Sequence, residues 1–191
     1  TGLKQSKDDP NTIASNVRAV VNFGKESALG ELTTEETVKN ITLEDLKAHY
    51  EKFFKPNIAY LVIVGDITKK EAQKLTKQYF GKWKAGDVQK EEFLAPEPIQ
   101  KTSIAFVDRP SSVQSVINIT YPVDNKPGNE DITKLSLMNQ ILGGGGSARL
   151  FMNLREDKGY TYGAYSSLGS SRYAATFNAS ASVRNEVTDS S

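Results

Sequence analysis

An arginine and a tyrosine seven positions apart, Arg155 and Tyr162, are the residues of this chain best suited to hold a substrate. They stand in ILGGGGSARLFMNLREDKGYTYGAY, residues 141–165. A planar guanidinium fork and a phenolic O–H are both hydrogen-bond donors, and together they can bind a carbonyl or a carboxylate. For Arg155 alone the ordinary alternative is a surface ion pair with Glu156 or Asp157 near a helix end. Phe151 and Leu154, at helical spacing from Leu150, read as core.

The elements around the pair are legible. Four consecutive glycines end one apolar helix pattern, and the amphipathic segment SARLFMNLRED starts at once. The Lys158-Gly159 break ends that helix, which puts Arg155 in its last turn and Tyr162 at the start of the next strand. Strand alternation then predicts Tyr160 and Tyr162 on one face and Tyr165 on the other. The glycine run lacks the Gly-Lys-Ser/Thr of a phosphate loop and follows a helix, not a strand, which argues against a nucleotide cradle. It reads as a tight helix–helix turn in which backbones approach closely. Gly143, Gly144, Gly145 and Gly146 would then line a space that admits a substrate backbone.

Metal chemistry lacks ligands. The chain has one histidine, His49 in LKAHYEKFF, and no cysteine. A zinc site needs about three or four N, S or O ligands, and none can be assembled here from His and Cys. His49 reads as a surface or half-buried helix residue. The absence of cysteine also excludes disulfides and thiol redox chemistry, while leaving the compartment open between bacterial periplasm and cytoplasm. A net charge of +1 gives no electrostatic reason to expect nucleic acid or an anionic membrane. No run of about 18 apolar residues suggests a transmembrane helix.

Along the chain, Asp9 and Pro10 open a helix with Ile13, Val17, Val20 and Val21 on one face. Residues 25–33 form a loop and Thr34 to Lys39 a short helical turn. Thr42 caps a helix whose Leu43, Leu46, Tyr50, Phe53 and Phe54 are expected to face inward, and Lys55-Pro56 stops it. IAYLVIVGD reads as a buried central strand, and Thr68 opens the next helix. The charged, proline-containing residues 85–100 read as a linker, with the domain boundary near residue 95. Strands KTSIAFVDR and SVQSVINITYPV follow, the second alternating Val116, Asn118, Thr120 against Ile117, Ile119, Tyr121. Then come helix NEDITKLSLMNQIL, the glycine run, the Arg155 helix and strands YTYGAYSSL and RYAATFNASASVR. The order fits an α+β fold better than regular βαβ alternation. Both ends read as cut, so the chain is expected to be a piece of a longer protein.

Three segments resemble the pitrilysin/insulinase-type zinc peptidases, the inverzincins. Residues 141–165 are similar to the second domain of that family, TTEETVKN through YFGKW to the end of its first domain, and LAPEPIQ to the connection between them. The family's zinc signature, H-x-x-E-H, is absent. In catalytic members a glutamate ligand precedes a D-D-P-like break, and none lies between Thr1 and Asp8-Asp9-Pro10. The resemblance is therefore to the non-catalytic subunit of two-subunit bacterial members, in which one chain carries zinc and the other the Arg/Tyr pair.

It implies residues 1–84 as the C-terminal part of a first peptidase-like domain, and residues 101–191 as the N-terminal part of a second, inactive one. Each would be a mixed or antiparallel sheet packed with helices. It also implies that Arg155 and Tyr162 bind substrate peptide while the chain closes a proteolytic chamber. Zinc would sit in a catalytic domain or partner chain. Two alternatives stand beside this: a non-proteolytic scaffold subunit of the same fold, and an unrelated ligand-binding α+β domain.

Overall fold

The computed structural model describes residues 2–89 and 99–191. The centre of the expected 85–100 linker, residues 90–98, lies outside the described residues. Two compact units form, Thr1–Thr33 with Phe93–Ser191, and Thr34–Glu92. Residues 2–33 thus group with the later part of the chain. No helix among the described residues is long and apolar enough to cross a membrane.

The smaller unit is helical. Helices α3 (Glu35–Lys39), α4 (Leu43–Phe53) and α5 (Lys69–Phe80) each begin at a threonine whose hydroxyl accepts from the backbone N–H three residues on. In all three the residue at that position bonds back to the threonine N–H, completing a capping box. Asp45 and Glu71 are the returning acids, and their hydrogen bonds with Thr42 and Thr68 hold both carboxyls below their usual pKa range. After Pro56 the chain makes one 3₁₀ turn, Pro56–Ile58. Trp83 Nε1 donates to the Phe54 carbonyl at 3.1 Å, and the Asn57 amide brackets Gly86 through its N–H and C=O.

Two expectations fail in this unit for one reason. IAYLVIVGD forms no strand, and Tyr60 and Val64 are 97% and 92% exposed. Leu43, Leu46 and Tyr50 of α4 and its C-cap Phe54 are exposed as well, with Phe53 half-buried. A strand is a pairing, not a property of a segment, and an apolar face turns inward only against a second layer. Neither is supplied among the described residues of this unit.

The larger unit is an antiparallel three-stranded sheet in the order β1-β3-β2, covered by helices. Its strands are β1 (Gln114–Val123), β2 (Thr161–Leu168) and β3 (Ala175–Arg184). KTSIAFVDR, expected as a further strand, forms none and finds no pairing partner among the described residues. Helices α1 (Gly2–Ser6) and α2 (Pro10–Phe23) precede the sheet in sequence, and α2 opens at Asp9, whose carboxylate accepts from Thr12 N at 2.6 Å. Helix α6 (Ile132–Leu142) leads through the glycine run to α7 (Arg149–Phe151).

The β1–β3 register pairs Ile117 with Ala181, Ile119 with Ala179 and Tyr121 with Phe177 on one face. Ala164 and Val183 sit at the buried centre, with Val183 fully enclosed. The other face pairs Val116 with Ser182, Asn118 with Ser180 and Thr120 with Asn178. The polar/apolar alternation read in β1 is therefore kept across the sheet, and the architecture is α+β.

Candidate functional site

Gly143 is a glycine because of space, not backbone angle. Its carbonyl accepts from Ser166 N at 2.9 Å, tying the end of α6 to β2. A Cβ at Gly143 would run into Ser166 N, and would come within 2.6 Å of Ser166 Oγ and 2.9 Å of Leu150 Cδ1. At Gly144 a Cβ would meet the Gln140 side chain at 2.5 Å and its Cα at 2.7 Å. Around Gly145 and Gly146 there is ordinary room. The Asn139 amide reinforces the junction, donating to the Ser166 carbonyl at 3.1 Å and accepting from Ser166 Oγ at 2.8 Å.

Arg155 does not stand on an ordinary helical turn. After α7 the backbone widens into a π-helix, Met152–Asp157, a rare conformation that recurs at functional positions. Lys158 N reaches back five residues to the Asn153 carbonyl at 3.2 Å. Gly159, at φ +62°, ends the element in the left-handed conformation that glycine adopts without strain. The Lys158-Gly159 break is thus where the sequence places it, but the winding of the turn is not legible beforehand.

The Arg155 guanidinium lies 5.0 Å from the centre of the Phe151 ring and pairs with Glu156 at 3.4 Å. Both partners of that pair are about half exposed, and surface pairs of this kind contribute about 0–1 kcal/mol. The ring contact orients the fork; the ion pair adds little.

On β2 the register breaks. Thr161 pairs with Val183 and Ala164 with Ala181, so two residues of β2 oppose one of β3. This β-bulge is held by Thr161, whose hydroxyl donates to the Ser182 carbonyl at 2.6 Å and accepts from Gly163 N at 3.1 Å. The extra residue corrects the expected alternation. Thr161 and Ala164 share one face, so Tyr162 and Tyr165 share the other. Gly163 inside a strand pattern is the signal that would have flagged the bulge.

Tyr162 is 84% exposed. Tyr165 folds over Gly163, leaving no room there for a Cβ, and its ring lies 5.7 Å from Phe151. Phe151 therefore touches both Arg155 and Tyr165, and it joins the π-helix to the bulged strand.

His49 sits among Phe53 and Phe54, with ring centres at 4.8 and 6.4 Å. Among the described residues no three His, Cys, Asp or Glu side chains come together as a metal site would need. The donor set of the described residues does not fit zinc.

Residues 40–190 match the family described as the Peptidase M16 inactive domain. The chain belongs to that family. A relative described as an uncharacterized zinc protease, YmxG of Bacillus subtilis (strain 168), is 28% identical over 169 residues, 86% of this chain and 39% of the relative. A protein of Helicobacter pylori (strain ATCC 700392 / 26695), described as a non-peptidase homolog, is 25% identical over 134 residues, 70% of this chain and 30% of that protein. The crystal structure of a peptidase M16 inactive domain from Pseudomonas fluorescens superposes with a TM-score of 0.86 at 26% identity, covering 98% of this chain and 45% of that one. This M16 chain thus spans less than half the length of these proteins.

Proposed function

We infer that this M16 inactive-domain chain binds substrate peptide through Arg155 and Tyr162. In this reading it closes a proteolytic chamber against a catalytic domain or subunit of the same family. The observation that carries the reading is the support beneath the pair. Arg155 rides a π-helix and is aligned by Phe151, while Tyr162 projects into solvent from a bulge fixed by Thr161. Two donors on rigid backbone, neither consumed by a buried partner, suit an extended peptide carbonyl.

In this mechanism Arg155 holds a backbone carbonyl in the ground state and in the transition state alike. The Tyr162 phenol donates to the scissile carbonyl oxygen as negative charge develops there, a contact that strengthens towards the transition state. Zinc chemistry is supplied by the catalytic domain or partner chain. The chain itself positions the peptide and excludes water.

The test uses the intact protein assembled with its zinc-bearing part. Arg155→Ala should raise KM and lower kcat/KM, and Tyr162→Phe should lower mainly kcat, both with zinc content and folding unchanged. Wild-type turnover in both variants would instead support a structural, non-proteolytic scaffold. That second reading draws on the Helicobacter pylori relative, which is described as a non-peptidase.

A further inference from the structure

A helix packed on a sheet ordinarily meets it through apolar side chains, because that interface is where the layers exclude water. Helix α2 breaks this pattern. The sheet face towards it carries Asn118, Asn178, Ser180 and Ser182, and a cavity of about 270 Å³ lies between helix and sheet. Asn22 of α2 pins the two layers, donating to Thr120 Oγ1 at 2.8 Å, which donates in turn to the Phe177 carbonyl at 2.9 Å.

The cavity has one charge and many unused polar groups. Arg18 of α2 is half-buried at its wall. It bonds Ser15 Oγ at 3.4 Å and pairs with no carboxylate among the described residues. No Asp or Glu among the described residues lines the cavity. The side chains of Asn118, Ser180 and Ser182 make no hydrogen bond to protein among the described residues, and neither does the Tyr165 phenol. Asn178 is only 8% exposed, and its Oδ1 is buried without a donor. A buried acceptor left unpaired is unfavourable, and in a cavity wall it leaves a place for a group that brings a donor, water or ligand.

We propose that this cavity binds the C-terminal end of a peptide. Arg18 pairs with the terminal carboxylate. The Ser180 and Ser182 hydroxyls and the Asn118 amide take up the last peptide unit, and the final backbone N–H supplies the donor that Asn178 Oδ1 lacks. A bare inorganic anion without a donor, such as sulfate, would satisfy Arg18 but not Asn178. The volume falls just below the roughly 300–1,000 Å³ of a drug-sized ligand site, which suits a chain end of one or two residues. The proposal rests on reading this region as peptide-binding. Tyr165 lines the cavity and also touches Phe151, so the pocket adjoins the Arg155 and Tyr162 pair.

The experiment measures binding to the intact protein by calorimetry, using N-acetyl-Ala-Ala as the free acid, its C-terminal amide, and inorganic sulfate. The free acid should bind about tenfold or more tighter than the amide, as loss of a charge-assisted contact implies. Arg18→Gln should abolish that difference, and Arg18→Lys, which keeps the charge, should retain part of it. Equal affinities for acid and amide would overturn the proposal, as would a preference that survives Arg18→Gln. Sulfate binding at least as tightly as the free acid would reduce the cavity to a simple anion site and also overturn it. Should Arg155→Ala and Tyr162→Phe leave hydrolysis unchanged, the peptide-holding role of that pair falls while the acid–amide difference stands as its own result.

Discussion

Tyr162 and Tyr165 lie on the same side of the sheet, although they are three residues apart in one strand, because the bulge between Thr161 and Ala164 absorbs one step of the alternation. The two phenols are therefore neighbours on one surface. One is free in solvent, and the other is folded over Gly163 and against Phe151.

That relationship separates their variants. Tyr162→Phe should lower kcat by about 10²–10³-fold, the usual loss for one donor at a developing oxyanion. Tyr165→Phe keeps the ring that supports Phe151 and should leave kcat near wild type. Tyr165→Ala removes the ring, loosens Phe151 beneath Arg155, and should raise KM. Steady-state kinetics on the assembled protease decides the matter; a Tyr165→Phe enzyme as slow as Tyr162→Phe would move the catalytic donor to the wrong tyrosine.

Thr161 is the bulge's fastener. Thr161→Val keeps the shape but removes the hydrogen bonds to the Ser182 carbonyl and Gly163 N. The expected cost is about 1 kcal/mol of stability, together with a fall in kcat at temperatures where the variant is still folded, since Tyr162 loses its fixed origin. Denaturant melts and kinetics on one preparation would expose a purely structural role as a stability loss without a kcat change.

The glycines should divide in two. Gly143→Ala forces a methyl into Ser166 and Leu150, and Gly144→Ala forces one into Gln140. Overpacking of this kind costs about 1–3 kcal/mol. Gly146→Ala meets the Phe151 ring no closer than 3.8 Å and should change stability by about 0.5 kcal/mol or less. Comparable thermal shifts in all of these variants would mean that the run is glycine for some reason other than space.

The helix caps predict an acid limb. Asp9, Asp45 and Glu71 all have carboxyl pKa values lowered by hydrogen bonds, from Thr12, Thr42 and Thr68 respectively. A lowered folded-state pKa contributes stability above the unfolded value, and that stability is lost as pH falls through the folded value. The loss should begin below the ordinary value of 4.5 for Glu71, and below 3.8 for the two aspartates. Circular dichroism of the wild type against the Asp9→Asn, Asp45→Asn, Glu71→Gln triple variant would show it: the wild type should lose helix more steeply below pH 4.5. Parallel acid curves would remove the caps as the cause.

What could be read from the chain alone was whatever is settled within a few residues. Asp9, Thr42 and Thr68 open their helices where they were expected to, because a cap bonds three positions ahead and needs nothing else. Gly159 ends the Arg155 element for the same local reason, and the alternation of Val116 through Tyr121 survives because successive residues of any strand point to opposite faces. The motif around Arg155 and Tyr162 is enough by itself to resemble the family, because it is a local run of residues. Partners distant in sequence decided the rest. IAYLVIVGD and KTSIAFVDR have the composition of strands but find no strand to pair with among the described residues. The single residue inserted opposite β3 moved Tyr162 onto the face of Tyr165. The meeting of Arg18 with Asn118, Asn178 and Ser180 joins segments roughly a hundred and more residues apart, a juxtaposition that only the packing of α2 on the sheet creates.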